Sequence, residues 1–393
     1  MINEFDLNAV IGALQSVLPK NKDFIALHEP QLAGNEWLYV KQCLDTGWVS
    51  SVGKYVDQYE KLLAEYTGAK HAIAVVNGTA ALHVCLKLVG VELNDEVIVP
   101  ALTFVATANA VTYCAAIPHF VDSEVKTLGL DPHKLKHYLK DIAEMQHNNC
   151  YNKQTGRRIK AVIPMHTFGH PVDLDPLVEV CQRYNLELIE DAAESLGSFY
   201  KGRHTGNWGR LSALSFNGNK VITTGGGGAI LTNDEELGKV AKHLTTTAKV
   251  PHKWAFYHDQ IGFNYRMPNI NAALGCAQLE RLPSFLKKKR ILAEKYYYAL
   301  KNVDGVTFFT EPDFARSNYW LNVLLLDHSQ AEYRNTLLEL TNNQGIMTRP
   351  AWTLMNKLPM YKNCPRMDLS ITQELEKCLI NIPSSPGLGE AYE

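Results

Sequence analysis

Six short runs rich in aliphatic and β-branched residues alternate with helical stretches over the first two thirds of the chain: His71 to Val76, Glu96 to Val99, Ile117 to Val121, Ile159 to Pro164, Leu186 to Glu190 and Leu211 to Phe216. Such an alternation predicts a mostly parallel sheet with helices on both faces, because parallel neighbours need long crossovers. Sheets of this kind bind ligands beyond the carboxyl ends of their strands, so chemistry is expected just after each run. From about Met267 the pattern changes to a long helical stretch through Leu279 and Lys289, then to shorter strands and helices. The expected fold is α/β, with a large domain in residues 1–266 and a smaller α/β domain in residues 267–393. A chain of 393 residues is longer than a single core usually fills. The first thirty or so residues, amphipathic and then extended around His28-Glu-Pro30, are expected to pack on the second domain.

From Val97 to Phe120 there is no Asp, Glu, Lys or Arg, a length that raises the question of a membrane span. Pro100 and Pro118 break it, and Thr103, Thr107, Asn109 and Thr112 interrupt it, so it reads as strand, loop, buried helix and strand. Charged residues make up 20% of the chain and the formal net charge is −2, which gives no basic footprint for nucleic acid or an anionic membrane. The eight cysteines, Cys43, Cys85, Cys114, Cys150, Cys181, Cys276, Cys364 and Cys378, are scattered and form none of the close pairs of zinc or dithiol sites. They read as reduced thiols. The opening Met1-Ile-Asn-Glu-Phe-Asp6 has neither the basic start nor the apolar run of a secretory signal, so a cytoplasmic protein is expected. Asp141 to Arg158, polar and rich in Asn, Gln and Gly, reads as a surface insertion.

Three constellations carry candidate chemistry. In Val75-Val-Asn-Gly-Thr-Ala-Ala-Leu82 a strand runs through a small-residue turn into a helix. Gly78 lets the backbone approach a ligand, and the free amides of the helix start, with the Thr79 hydroxyl, suit a phosphate; the plain alternative is structural punctuation. In Leu186-Glu-Leu-Ile-Glu-Asp-Ala-Ala-Glu194 an acid follows a buried strand. Asp191 there suits a cationic ring nitrogen, since a nearby carboxylate favours the protonated form of its partner; the alternative is a helix cap. In Leu214-Ser-Phe-Asn-Gly-Asn-Lys-Val-Ile-Thr-Thr-Gly-Gly-Gly-Gly228, Lys220 sits in a polar turn ahead of four glycines, a composition suited to close approach or to a flexible hairpin. A phosphate cradle, then an acid at a strand end, then a lysine is the order a Schiff-base cofactor site requires.

The sequence resembles the sugar aminotransferases of the DegT/DnrJ/EryC1/StrS family, within the pyridoxal-phosphate enzymes of fold type I, which share the architecture of aspartate aminotransferase. The resemblance covers nearly the whole chain. It rests on Asn77-Gly-Thr-Ala-Ala-Leu82, Pro100-Ala-Leu-Thr-Phe-Val-Ala-Thr107, Glu190-Asp-Ala-Ala-Glu194, Ser215-Phe-Asn-Gly-Asn-Lys220 and Gly262-Phe-Asn-Tyr-Arg-Met267, in that order. It implies pyridoxal 5'-phosphate as cofactor. Gly78, Thr79 and Ser215 would then hold its phosphate, and Asn264 would reach it from the other subunit of a homodimer whose active sites are shared. Phe104 and Ala193 would flank the ring, Asp191 would bind its nitrogen, and Lys220 would link to it covalently. Glu194 stands where many relatives have Gln or His near the phenolic oxygen, which leaves its protonation open. Related dehydratases carry His at the lysine position, so Lys220 argues for amino transfer.

The resemblance further implies L-glutamate as donor and a nucleotide sugar as acceptor, and the wording around Lys220 is most similar to the branch acting on UDP-linked 4-keto-6-deoxy-N-acetyl sugars, on routes to bacillosamine or legionaminic acid. For the acceptor's diphosphate and nucleoside the candidates are His166, His252, Lys253, Arg266 and Arg349, each of which also suits a surface or hinge role. Three alternatives stand beside this reading. They are a lyase or dehydratase on the same cofactor, a non-catalytic regulator on the same fold, and a nicotinamide dehydrogenase; the last lacks a Gly-x-Gly-x-x-Gly turn after an early strand.

Overall fold

The computed structural model describes residues 5–390. Met1 to Glu4, part of the stretch on which the absence of a leader was argued, and Ala391 to Glu393 lie outside the described residues. Strands follow in the order β1 His71–Val75, β2 Glu96–Pro100, β3 Ile117–Val121, β4 Ala143–Gln146, β5 Asn149–Asn152, β6 Arg158–Val162, β7 Glu187–Asp191, β8 Phe199–Tyr200, β9 Arg203–His204, β10 Leu211–Ser215, β11 Gly228–Thr232, β12 Val306–Phe308, β13 Ala315–Arg316, β14 Asn322–Leu326, β15 Arg349–Pro350 and β16 Leu379–Ile382. Helices are α1 Leu7–Val17, α2 Glu36–Thr46, α3 Lys54–Thr67, α4 Gly78–Leu88, α5 Val105–Tyr113, α6 Pro132–Ile142, α7 Leu174–Arg183, α8 Glu235–Thr245, α9 Asn269–Leu300, α10 Arg334–Asn343 and α11 Ser370–Cys378.

The main sheet has the order β1-β11-β10-β7-β6-β2-β3. The pairs β10–β7, β7–β6, β6–β2 and β2–β3 are parallel. Strand β11 is antiparallel to both of its neighbours, so β1 runs with the rest. The reason is local: β10 returns to β11 directly, without the helical crossover that a parallel neighbour would need. The carboxyl ends of β1, β10, β7, β6 and β2 therefore open on one edge, and β11 starts there. Successive residues of the strands face opposite layers. Leu214 and Leu231 join the core with α3 and the first half of α9, through Tyr59, Leu63, Cys276 and Leu282. Ala213 and Ile230 join the core under α4 and α5, through Leu82, Leu86 and Val111.

A second sheet, in the order β12-β14-β16-β15, is antiparallel in its pairs. Its core includes Leu324 and Ile380, the second half of α9 through Leu292 and Tyr296, and α1 through Val10, Ile11 and Leu14. By packing, then, α1 belongs with the carboxyl-terminal layer, and each such buried aliphatic contributes about 1.5–3 kcal/mol. The 32-residue α9 runs through both cores.

The charge-free stretch is strand β2, a loop, helix α5 and strand β3. Among the described residues no helix is long and apolar enough to cross a membrane. Residues 141–158 lie largely exposed, as a surface insertion with structure of its own. Strands β4 and β5 form a hairpin laid on β6, and its polar residues serve a fully buried carboxylate: Asn152 Nδ2 and Thr155 Oγ1 donate to Glu96 at 2.9 and 2.6 Å. All eight cysteines are free, and all but the half-buried Cys364 are buried.

Candidate active site

Three of the loops that leave this edge of the main sheet carry the sequence motifs named above. After β1 the chain enters α4, where Asn77 Oδ1 caps the helix by accepting from the Ala80 amide at 2.8 Å. The amides of Gly78 and Thr79 have no intrahelical acceptor and point out of the helix start. A Cβ on Gly78 would stand 3.0 Å from Ser215 Cβ and 3.3 Å from the Leu214 carbonyl, so a glycine here lets the two phosphate-binding candidates from β1 and β10 come together. The later glycine run has the same logic at one position, since a Cβ on Gly228 would meet the Asn77 carbonyl carbon at 2.4 Å.

Asp191 ends β7 and is buried. Its Oδ2 accepts from Thr107 Oγ1 at 2.7 Å, Thr107 in turn lies 2.7 Å from Thr103 Oγ1, and its Oδ1 accepts from the Ala193 amide at 3.2 Å. Burial raises the Asp191 carboxyl above its ordinary range, although the Thr107 hydroxyl, the Ala193 amide and the Lys220 charge all oppose it. Among the described residues no cationic side chain comes within ion-pair distance of it. A buried carboxylate held in place by two donors and lacking a cation is the partner that a protonated ring nitrogen needs.

Lys220 reaches the same cavity from the β10–β11 loop. Its Nζ lies 3.1 Å from Glu194 Oε1 and 3.8 Å from the centroid of the Trp320 ring. Burial pushes the Glu194 carboxyl up to about 7, with the Lys220 charge opposing. The cavity has a volume of about 310 Å³, and Gly78, Thr79, Phe104, Asp191, Ala193, Glu194, Ser215 and Lys220 all line it. That is the lower end of the ~300–1,000 Å³ of small-molecule sites. A larger cleft of about 920 Å³ runs along α9 beside Tyr66, Phe199 and Arg316, but none of the motif residues lines it. The donor set in the smaller cavity suits pyridoxal phosphate: helix-start amides and hydroxyls for the phosphate, a carboxylate for the ring nitrogen and an amine for the aldehyde.

The structure does not bring the acceptor candidates to this cavity. His166 is fully buried, with Nε2 3.0 Å from Glu190 Oε2 and Nδ1 accepting from the Val172 amide at 3.2 Å. Both ring nitrogens are engaged, so His166 braces β7 instead of facing a ligand. Arg349 is exposed on β15, and its Nη1 donates to Asn342 Oδ1 and to the Thr348 carbonyl at 2.9 and 2.8 Å. Arg266 is half-buried against Val75. His252 and Lys253 lie exposed in the loop after α8, where His252 Nδ1 accepts from the Trp254 and Ala255 amides. Asn264 is exposed and bridges Thr246, outside the cavity of its own chain.

Sequence reasoning missed Trp320 and Trp352. Both line the cavity, and Trp352 lies 4.8 Å from Phe168 and 6.1 Å from Phe104 between ring centroids. They come from loops around the second sheet, where no periodicity or spacing marks them. Thr107 lay within a quoted motif, but its contact with Asp191 spans 84 positions and carries no local signal.

Comparison with known proteins agrees with this geometry. The family model described as "DegT/DnrJ/EryC1/StrS aminotransferase family" matches residues 30–392. A GDP-perosamine synthase of Caulobacter vibrioides is 39% identical over 370 residues, covering 93% of this chain and 95% of that protein. A putative pyridoxal phosphate-dependent aminotransferase of Bacillus subtilis, EpsN, is 38% identical over 337 residues, covering 86% and 84%. The crystal structure of the aminotransferase TlmJ from Streptoalloteichus hindustanus is similar with a TM-score of 0.82 and 26% identity, over 92% of this chain and 93% of that one. The chain belongs to the DegT/DnrJ/EryC1/StrS aminotransferase family, as a pyridoxal-phosphate-dependent aminotransferase of sugars.

Proposed function

We propose that the protein transfers an amino group from L-glutamate to the C4 ketone of a nucleotide-linked 4-keto-6-deoxy sugar. The observation that carries this reading is the convergence of Lys220 and Asp191 on one cavity at the carboxyl edge of the main sheet. Pyridoxal phosphate bound there supplies an electron sink for a carbanion and a temporary carrier for the amine. The chain's own residues do the rest. Asp191 favours a protonated ring nitrogen, held in line by Thr107 and Ala193. The helix-start amides of Gly78 and Thr79, with the hydroxyls of Thr79 and Ser215, anchor the phosphate. Phe104 and Ala193, which line the cavity, would flank the ring. Lys220 Nζ takes the proton from the donor's α-carbon and returns a proton to carbon, and it runs the same transfer in reverse when the sugar ketone is aminated. Ping-pong kinetics follow from this sequence.

In the same reading residues 1–266 comprise an N-terminal segment, packed on the second core, and the large cofactor-binding domain, residues 267–393 form the small domain, the enzyme is cytoplasmic, and it works as a homodimer. Trp254, Phe256, Tyr257 and Ile261, all more than half exposed in the single chain, support a covered surface next to Asn264, which would reach the other subunit's phosphate site. With His252, Lys253 and Arg266 on the same segment, these residues would meet the acceptor across the subunit boundary. The exposed Arg349 is kept as a candidate for the acceptor's phosphates.

For the nucleotide, the wording around Lys220 supports a UDP-linked acetamido sugar, on a route to bacillosamine or legionaminic acid. Relatives named GDP-perosamine synthase, at 36–39% identity, support a GDP-linked sugar as the second reading. Incubation with glutamate and parallel panels of UDP- and GDP-linked 4-keto-6-deoxy sugars separates them by mass spectrometry and NMR. One amino sugar per 2-oxoglutarate is expected. No amine from either panel, or full turnover by Lys220→Ala, would remove the proposal.

A further inference from the structure

Lys220 has a carboxylate partner whose placement is far more elaborate than an anchoring lysine requires. Glu194 Oε1 lies 3.1 Å from Lys220 Nζ, and the two side chains are only 1% and 13% exposed. Glu194 Oε2 accepts from the Phe168 amide at 2.9 Å. Phe168 holds a φ of 56°, a left-handed conformation that a bulky residue rarely adopts, and one that belongs with a demand on where its backbone points. The backbone of Glu194 is pinned as well, because the buried Asn318 Nδ2 donates to the Glu194 and Leu196 carbonyls at 2.8 and 3.0 Å. Two separate segments, those of Phe168 and Asn318, thus fix one carboxylate against one amine. The charged groups facing the pair are few. Asp191 acts on Glu194 from β7 but is itself engaged by Thr107 and Ala193. The buried His28 feels the charges of Lys220 and of the buried Lys289, whose Nζ donates to the Trp320 and Ser384 carbonyls at 3.2 and 2.5 Å. Neither brings a negative charge.

We propose that Glu194 is a positioning and proton-holding partner of Lys220, strengthening the amine as a base for a carbon-bound proton and keeping that proton inside the cavity until it is returned to carbon. The balance is simple. A C–H bond breaks and an N–H bond forms at Nζ, with the electron pair left on carbon. The ammonium so formed is stabilised by Oε1, and the reverse transfer regenerates the amine, with Glu194 unchanged overall. Burial raises the Glu194 carboxyl to about 7, which lets it gain or lose a proton near neutral pH. The proposal rests on the role given to Lys220 above, but its first test does not.

In the cofactor-free protein, trace acetylation of amines followed by peptide mass spectrometry reads the reactivity of Lys220 against pH. Removing the carboxylate by Glu194→Gln takes away what favours the ammonium. Lys220 should then react about tenfold faster near pH 8, and Glu194→Asp should lie between the two. In the loaded enzyme, single-turnover reaction of Glu194→Gln with glutamate should slow by about 10- to 100-fold at saturating donor. Donor affinity should be unchanged, and the effect of deuterium at the donor's α-carbon should grow. An unshifted acetylation profile in both variants overturns the proposal, as does a shifted profile with an undiminished single-turnover rate. Failure of the parent reading looks different: Lys220→Ala would keep full turnover while the acetylation shift persisted.

Discussion

At the scale of single residues, the cavity separates the roles of two carboxylates by their surroundings. Asp191 is aimed by a hydroxyl and an amide, with no cation in reach among the described residues, so Asp191→Asn removes the charge while leaving the shape. Cofactor retention and turnover should both fall, turnover by about 100-fold, the scale of a lost hydrogen bond to a charged group at ~1.5–3 kcal/mol. Thr107→Val should be milder, about fivefold weaker cofactor binding for the ~1 kcal/mol of one hydrogen bond, read by absorbance titration. Glu194 makes a pH-dependent contribution whose sign is set by its raised value. The folded protein keeps the Glu194 proton up to about pH 7, whereas the ordinary value is 4.5. The stabilisation this gives is complete below the lower value and is lost as pH rises through the higher one. In thermal melts of the cofactor-free protein, the Tm of wild type relative to Glu194→Gln should therefore decline from about pH 4.5 to about pH 7 and level off beyond. A flat difference across that window would count against a buried, proton-retaining Glu194.

At the scale of elements, strand β7 carries its acid because a second buried carboxylate braces the strand from below. Glu190 accepts from the Gly206, Trp208 and Gly209 amides at 2.6–2.7 Å and lies 3.0 Å from His166. Burial alone would raise its carboxyl, but the His166 contact and these amides hold it below the ordinary range. Glu190→Ala strands three amides and a buried imidazole, and should cost about 3–5 kcal/mol in denaturant unfolding. The start of α4 is the other stressed element. Gly78→Ala pushes a methyl to 3.0 Å from Ser215 Cβ, so the proposed phosphate cradle must widen; cofactor affinity should drop by tenfold or more with little change in Tm. The motifs made both elements visible in sequence, because a strand end and a helix start are short-range features. They said nothing of His166 as a brace. Its position after a strand read as a ligand site, and only the fold shows both of its nitrogens consumed within the protein.

At the scale of the whole molecule, two cores are joined along α9, and the segment between Trp254 and Ile261 exposes large apolar side chains in the single chain. Introducing Asp at both Phe256 and Ile261 should convert the proposed dimer to monomer in light scattering, since charges at buried anchor positions cost 2 kcal/mol or more. Turnover should fall with it, because Asn264 lies outside the cavity of its own chain. A variant that stays dimeric and active would show that the segment is free surface. By itself the sequence determined the alternation of strand and helix, and it singled out Gly78, Thr79, Asp191 and Lys220, which the fold gathers around one cavity at the carboxyl edge of the sheet; these readings depend on features shared by near neighbours in the chain. Only the tertiary structure decided that β11 runs against its sheet, that the hairpin of residues 141–158 feeds the buried Glu96, that Trp320 and Trp352 wall the cavity, and that Glu194 is locked against Lys220 by Phe168 and Asn318. Those outcomes depend on pairs of groups tens to hundreds of residues apart, whose meeting is fixed by packing and by the satisfaction of buried polar atoms, neither of which leaves a periodic trace in the sequence.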